Sequence, residues 1–230
     1  MRRLALVLAV ISLAGCVATP RPGSPVPAPA ATRGEAGFAA VVRRVEPVAE
    51  AECRARAPGR DCDFLILVDD RAGQPPNAFQ TLGRDGRPLL VLTLPLIAST
   101  RNTDELAFIL GHEAAHHIAG HLEKTQISAE YGALVLGSLA RAAGERGAAL
   151  DRAAALGAEL GRRRFSRVFE LEADALGTVI AHRAGFDPVR GAAFFARIPD
   201  PGDRFLGTHP PNSERQSLVR RVAAQLRRGA

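Results

Sequence analysis

The sequence predicts an α+β fold in which helices dominate and a small β-sheet occupies one stretch of the chain. Apolar residues recur at helical spacing in long segments before residue 57 and after residue 101, whereas short apolar runs cluster between residues 64 and 93. The composition, 47% hydrophobic and 23% charged, is typical of a globular domain. The 230 residues are expected to form one domain of ordinary size, preceded by a short N-terminal segment.

That N-terminal segment is predicted to direct export. Residues 1–15 are typical of a lipoprotein signal peptide, with two arginines before a short apolar core, and Cys16 follows Leu-Ala-Gly as the predicted lipidation site. The alternative is an ordinary signal peptide with a chance cysteine. Residues 16–36 comprise the lipidated cysteine and a flexible tether rich in Pro and Ala. Val17 favours the periplasmic face of the bacterial outer membrane over the inner membrane.

The domain is expected to begin with an amphipathic helix over residues 36–56, in which Pro47 could introduce a kink. The apolar run at residues 64–68 predicts a buried strand. Cys53 and Cys62 lie on either side of a Pro-Gly turn signal, so in an oxidising compartment a disulfide between them is the favoured interpretation. The alternative is a pair of buried thiols.

Two further strands, at residues 77–82 and 89–93, are predicted to pair through an Asp-Gly hairpin turn. Asn102 then provides a helix cap, followed by two acidic residues in the first turn. The helix that Asn102 opens is expected to continue to about His121.

Residues 127–160 are rich in Ala, Gly and Leu and fit two loosely packed helices, a mobile lid or a segment that leans on a membrane. A second long helix is predicted over residues 165–184, and another begins after Asp187. The last helix begins at Asn212 or Ser213, with its arginines mostly exposed. Its predicted buried stripe consists of Leu218, Val222 and Leu226.

The helix capped by Asn102 contains His-Glu-Ala-Ala-His, an H-E-x-x-H motif. His112 and His116 are one turn apart, so both imidazoles can bind one zinc ion, and Glu113 is placed to accept a proton from the attacking water. His121 lies nine residues after His112 and is expected to face away. The same applies to His117, and both extra histidines are expected at the surface or in support of a ligand.

Catalytic zinc usually has three protein ligands, and an acidic cluster on the second long helix offers the third. Glu170 and Asp174 are four residues apart and share a helix face, whereas Glu172 points elsewhere. One of the two carboxylates is expected to bind zinc while the other orients a histidine or contacts the reacting centre.

These motifs, in this order, resemble those of the HtpX-type gluzincin metallopeptidases. The resemblance extends to Gly-Phe-Asp-Pro after the second long helix and to Thr-His-Pro before the last one, so the zinc metallopeptidase domain is predicted to span residues 37–230. It implies a zincin-like fold, mostly helical, with its small sheet beside the active-site helix. It also implies that the strand at residues 77–82 binds extended substrate.

The resemblance further implies one Zn²⁺ per chain, with Glu170 as the third ligand beside the two motif histidines. Asp174 is implied as a supporting or proton-donating group. His209, from the Thr-His-Pro segment, is implied to lie near the metal. There it either occupies the open coordination position in a resting state or takes part in catalysis.

We therefore expect a zinc-dependent endopeptidase of the cell envelope that hydrolyses misfolded or envelope proteins. One rival is an assembly factor or chaperone for outer-membrane proteins with suppressed proteolysis, working with the assembly machinery, and another is a zinc-bound structural lipoprotein. The expected partners are unfolded polypeptides and, through the lipid anchor, a membrane. Nucleic acid is not expected despite a net charge of +6, because no aromatic residues are interleaved with the arginines.

Overall fold

A computed structural model describes residues 33–199 and 210–229. Cys16, the predicted signal peptide and His209 lie outside the described residues. The helices and strands follow one another as α1 (Arg33–Arg56), β1 (Leu65–Asp69), β2 (Ala78–Leu82), β3 (Pro88–Thr93), α2 (Leu94–Ser99), α3 (Thr103–Ile118), α4 (His121–Ala142), α5 (Ala148–Arg164), α6 (Ser166–Arg183), α7 (Pro188–Gly191), a 3₁₀ turn (Ala192–Ala196) and α8 (Asn212–Arg228). The predicted α+β class, mostly helical with a small sheet, is confirmed.

The three strands form one sheet in the order β1-β3-β2. β2 and β3 are the predicted antiparallel hairpin, while β1 pairs with β3 in parallel. The central strand buries Leu90 and Leu92, whereas Leu67 and Val68 of β1 are exposed. The prediction that residues 64–68 form a wholly buried strand is therefore wrong: β1 is at an edge of the sheet, and Phe64 just before it is the buried residue.

α1 packs against α3 through an apolar stripe that was predicted from its spacing. Phe38, Val41, Val45 and Ala49 are buried in the main core, and the helix continues through Pro47. α2 was not predicted. It begins after Thr93, whose side chain accepts a hydrogen bond from the backbone N–H of Leu96 at the new helix N-terminus.

α3 begins as predicted and ends earlier than predicted. The Asn102 side chain accepts a hydrogen bond from the backbone N–H of Glu105 at 3.0 Å, which confirms the cap. The helix ends at Ile118, and Gly120 takes a left-handed conformation with φ of 69°. His121 then begins α4, so it belongs to a different helix from the H-E-x-x-H motif.

α4 and α5 form a closely packed helical hairpin. Gly132 faces Gly157, and Gly161 faces Ser128, so closely that a Cβ on any of these glycines would overlap the opposite backbone carbonyl. The alternative of two loosely packed helices is wrong in this respect: small residues bring the two backbones together. Within residues 33–199 and 210–229, no helix combines the length and apolarity needed to cross a bilayer.

α8 begins at Asn212 as predicted, but a different face of the helix is buried. Val219 and Ala223 are fully buried, together with Arg215 and Asn212. The predicted stripe of Leu218, Val222 and Leu226 is only partly buried. The reason is that Arg215 points inward to an acidic partner on α6, which rotates the helix away from the orientation that its leucines suggested.

Arg197 forms a bidentate ion pair with Glu105 that ties the segment after the 3₁₀ turn to the start of α3. Both oxygens of Glu105 accept hydrogen bonds from Arg197 at 2.7 Å, and the Glu105 side chain is 1% exposed. Burial alone would raise the pKa of Glu105, but these bonds hold it below its usual value. The stabilisation is therefore present at neutral pH and is lost as the pH falls through that lowered pKa.

We expect Arg197→Ala to lower the free energy of unfolding by about 3 kcal/mol, because it leaves a buried carboxylate without its cation. Urea denaturation at pH 7 measures this. Arg190→Ala is the matched control, since Arg190 pairs with Asp104 from a largely exposed position and its loss should change stability by less than about 1 kcal/mol. Equal effects of the two changes would contradict the prediction.

Cys53 at the end of α1 and Cys62 before β1 are joined by a disulfide in the structure, with Cα atoms 5.7 Å apart. We expect mass analysis of non-reduced peptides to find these two cysteines linked. Replacing both by Ala should lower the free energy of unfolding by about 2–3 kcal/mol, the value expected for a loop of this size. Detection of two free thiols in protein prepared under oxidising conditions would refute the pairing.

Candidate metal centre

Two helices bring three potential metal ligands together. His112 and His116 are one turn apart on α3, and their Nε2 atoms are 3.0 Å from each other. Glu170 of α6 faces them, with one carboxylate oxygen 3.6 Å from His112 Nε2 and the other 3.4 Å from His116 Nε2. Close packing of the two helices makes this possible: a Cβ on Gly177 of α6 would overlap the backbone of His112.

This donor set fits a zinc ion. One ligand atom from each of His112, His116 and Glu170 lies within 4.8 Å of the others. Ligands bound tetrahedrally at zinc distances are about 3.3 Å apart, close to the separations between these atoms. Two imidazole nitrogens and one carboxylate are also the donors of known catalytic zinc sites, which leave a further position open.

Glu113 is placed next to the ligands and borders a cavity. The cavity has a volume of about 1040 Å³ and is lined by His112, Glu113, His116 and Glu170, with apolar residues of several helices around them. Burial raises the pKa of Glu113, while the neighbouring imidazoles lower it. Glu113 can therefore meet a water or a substrate held over the three ligands.

Asp174 lies behind His112, on the side away from the cavity. Its Oδ1 is 3.0 Å from His112 Nδ1, and the residue has no exposed surface. If Nε2 of His112 binds the metal, Nδ1 carries the hydrogen and lies next to this carboxylate. Of the two roles that the resemblance implies for Asp174, these contacts favour the supporting one.

Arg215 of α8 completes this buried cluster, although sequence reasoning placed it at the surface. It donates two hydrogen bonds of 2.7 Å to Asp174 and lies 3.3 Å from Glu170, while its guanidinium stacks 3.8 Å from the ring centre of Phe195. Burial would raise the pKa of Asp174, but the bonds from Arg215 and the contact with His112 lower it. Arg215 therefore fixes the orientation of both acidic side chains.

His121 supports the second histidine ligand, which corrects the expectation that it faces away. Its Nδ1 is 2.9 Å from His116 Nδ1, and its Nε2 is 3.1 Å from a carboxylate oxygen of Glu172. Burial lowers the pKa of His121 to about 4, against the effect of Glu172, so the ring is neutral at pH 7. If Nε2 of His116 binds a metal, His116 Nδ1–H can donate to Nδ1 of His121, and His121 Nε2–H can donate to the Glu172 carboxylate.

The helical wheel misplaced His121 because it assumed an unbroken helix. The left-handed Gly120 ends α3, so the angle of 100° per residue does not apply across it. The sequence did carry a signal, since a glycine just after the last helical residues, as at Gly120, is typical of a helix end. For Arg215 the helical pattern gave no comparable signal, although the Glu-Arg pair at residues 214–215 is among the motifs that carry the family resemblance. An arginine on a basic helix is expected to be exposed, because arginine is rarely buried without a partner and the sequence does not reveal a partner from elsewhere in the chain.

His117 connects α3 to the sheet and is also buried. Its Nε2 is 2.7 Å from the backbone oxygen of Asp61, and its Nδ1 is 3.4 Å from the side-chain nitrogen of Gln80 in β2. Burial lowers the pKa of His117. The expectation that His117 lies at the surface is therefore wrong. His117 holds the edge strand β2 beside the ligand helix, which confirms the predicted position of the sheet.

A comparison with known proteins agrees with this geometry. The model of peptidase family M48 matches residues 35–223. The chain is 33% identical over 177 residues to the beta-barrel assembly-enhancing protease of Yersinia pestis and 31% identical over 177 residues to that of Escherichia coli (strain K12). These alignments cover 71% of this chain and 35% of each relative, so the chain matches about a third of their length.

Proposed function

Because the chain belongs to peptidase family M48, whose members are zinc-dependent, we propose that it is a zinc endopeptidase of the bacterial cell envelope. The observation that carries the proposal is the convergence of His112, His116 and Glu170 beside Glu113 at the floor of a large cavity. The proposed metal content is one Zn²⁺ per chain.

Each residue around the ligands has a separate task in this proposal. A zinc ion held by the three ligands would supply the Lewis acidity that activates water and polarises a peptide carbonyl. Glu113 accepts the proton of the attacking water and then delivers it to the nitrogen of the leaving amine. Asp174 and His121 hold the two histidines in the required tautomers, and Arg215 holds Asp174.

Extended polypeptide is the proposed substrate class. β2 is at an edge of the sheet, and its residues Ala78, Phe79 and Gln80 line the cavity beside the ligands. A free strand edge can pair with an extended peptide through main-chain hydrogen bonds, which gives affinity with little demand on sequence. Misfolded envelope proteins, which present extended segments, fit this site.

The cellular location is proposed from the N-terminal sequence. Cleavage before Cys16 and lipidation of this residue would anchor the domain to the periplasmic face of the outer membrane. We expect His209, which lies outside the described residues, either to cover the metal in a resting state or to contact substrate.

Removal and return of the metal test the proposed activity. We expect the purified protein to cleave an unfolded polypeptide such as reduced, alkylated lactalbumin, to lose this activity with 1,10-phenanthroline and to regain it with zinc. The non-chelating isomer 1,7-phenanthroline is the control. A zinc-loaded, folded protein that cleaves neither this polypeptide nor a library of extended peptides would overturn the proposal.

Assembly of outer-membrane proteins is the second candidate function. The names of both relatives describe an assembly-enhancing protease, which favours it. Complementation with Glu113→Gln separates the two candidates in cells. An assembly role alone would survive the loss of Glu113, whereas a role in proteolysis would not.

A further inference from the structure

The outer face of α4 presents large apolar side chains to solvent. Ile127, Tyr131 and Leu134 follow one another at helical spacing and are 64–67% exposed, with Val135 beside them. We call these four residues the outer stripe. α4 buries its other face, which carries Ala129 and Gly132, against α5. Further exposed apolar side chains of the hairpin are Leu139, Leu156 and Leu160.

The outer stripe is separate from the proposed peptidase site. The residues of α4 that line the cavity are His121, Leu122 and Thr125 at the start of the helix, and no residue of the outer stripe is among the described lining residues. A substrate held in the cavity would therefore leave the stripe exposed. Clustered, exposed apolar side chains of this kind mark a surface that a membrane or another molecule covers.

The charges of the hairpin are suited to an anionic bilayer. Residues 121–164 contain seven basic and five acidic residues, and arginines flank the hairpin tip and end α5 in the run Arg162–Arg164. Glu123 pairs with Arg60, which lies outside the hairpin, so this acidic charge is neutralised without using a basic residue of the hairpin. Glu159 pairs with Arg162 and Arg163 of the hairpin itself. Arginine side chains beside an apolar surface can reach lipid phosphates while their methylene groups stay in the apolar layer.

The chain length between the predicted lipid anchor and the domain also favours a membrane. Sixteen residues separate Cys16 from Arg33, the first described residue. A segment of this length spans about 50 Å at the polyproline II rise of about 3.1 Å per residue, so the start of the domain would remain close to the bilayer surface. The argument from chain length depends on the lipid anchor of the proposed function, whereas the exposure of the outer stripe does not.

We propose that the α4–α5 hairpin lies on the surface of an anionic phospholipid bilayer and inserts the outer stripe into the headgroup region. The contact is interfacial and reversible: the apolar side chains supply the binding energy, and the arginines supply attraction to lipid phosphates. Tyr131 occupies the headgroup level, where an aromatic ring with a polar end is favoured. The hairpin thus adds a second attachment to the lipid anchor.

Vesicle binding by the full chain with Cys16→Ser, loaded with zinc, tests this proposal without the lipid anchor. We expect the protein to float with vesicles of phosphatidylcholine and phosphatidylglycerol, and to bind less to phosphatidylcholine alone or at high salt. Ile127→Ser with Leu134→Ser should weaken this binding by more than about tenfold, since two large apolar side chains leave the lipid. The matched control is Val68→Ser with Leu82→Ser, a pair of exposed apolar residues on the sheet.

Tyrosine fluorescence gives a second, site-specific readout. The chain has one Tyr and no Trp, so the emission reports on Tyr131 alone. We expect anionic vesicles to protect this emission from acrylamide and brominated lipids to quench it. Protection without quenching by brominated lipid would place the ring outside the bilayer and overturn the proposed insertion.

The remaining outcomes identify other occupants. Absence of vesicle binding, or binding that the outer-stripe variant leaves unchanged, overturns the proposal. The proposal is also overturned if the wild-type protein is a dimer that the outer-stripe variant, but not the control variant, dissociates. It is likewise overturned if the outer-stripe variant loses binding to unfolded polypeptide while its vesicle binding persists. Vesicle binding is measured without substrate, so the two proposals fail separately. A protein that binds vesicles but has no peptidase activity would refute the proposed function and leave this inference intact. A protein that has peptidase activity but does not bind vesicles would refute this inference and leave the proposed function intact.

Discussion

Glu113→Gln is expected to lower peptide cleavage by about 10²- to 10⁴-fold while the chain keeps its zinc. The substitution retains the size of the side chain but removes the carboxylate that accepts and returns the proton. The three ligands are unchanged, as are Asp174 and His121 behind them. Turnover should fall without a rise in KM, because the glutamine side chain still fits the cavity wall.

The measurement combines steady-state cleavage of an unfolded polypeptide with the zinc content of the same preparation. Glu50→Gln on α1 is a suitable control, since Glu50 pairs with Arg54, whose side chain is largely exposed, and does not line the cavity in the described part of the chain. Turnover of Glu113→Gln at the wild-type rate would exclude Glu113 as the base. Loss of zinc from this variant would instead show that Glu113 helps to hold the metal.

Glu170→Ala is expected to weaken zinc binding by more than about 100-fold. Even groups that only orient a metal ligand contribute about 10- to 100-fold, and Glu170 is positioned to supply a ligand atom itself. Two histidines remain, and a pair of imidazoles without a third donor is a weak site for zinc. Activity should disappear together with the metal.

Glu172→Ala distinguishes the ligand from its neighbour. Glu172 is half exposed and contacts His121, so we expect at most the 10- to 100-fold loss typical of a residue that supports a ligand. Competition with a chelator of known affinity measures both variants, and circular dichroism checks that α6 remains folded. If Glu172→Ala loses the metal and Glu170→Ala retains it, the assignment of the third ligand is wrong.

Local features of the sequence predicted the parts of the fold that depend on neighbouring residues. The cap at Asn102, the hairpin before Thr93 and the helix that begins after Asp187 all follow from short-range hydrogen bonds, and each is present. The pairing of His112 with His116 is of the same kind, because one helical turn determines it. The position of Glu170 beside these two histidines depends on the packing of α6 against α3. It was predicted only from the family resemblance.

The misplaced residues are those whose environment is set by distant parts of the chain. β1 is an exposed edge strand because the hairpin of β2 and β3 places β3 in the centre of the sheet, which no property of residues 64–68 reveals. Arg215 is buried because Asp174 lies 41 positions earlier on another helix. In both cases the apolar pattern alone predicted the wrong burial, because the partner that decides which residues are buried lies in a distant part of the chain.

The short connection at Gly120 joins the helix that carries His112 and His116 to the α4–α5 hairpin. His121 is at once the first residue of the hairpin and the group that contacts His116. Position 120 favours glycine because its backbone is left-handed, with φ of 69°. A change in the angle at which the hairpin leaves the domain is therefore expected to move His121 relative to the imidazole of His116.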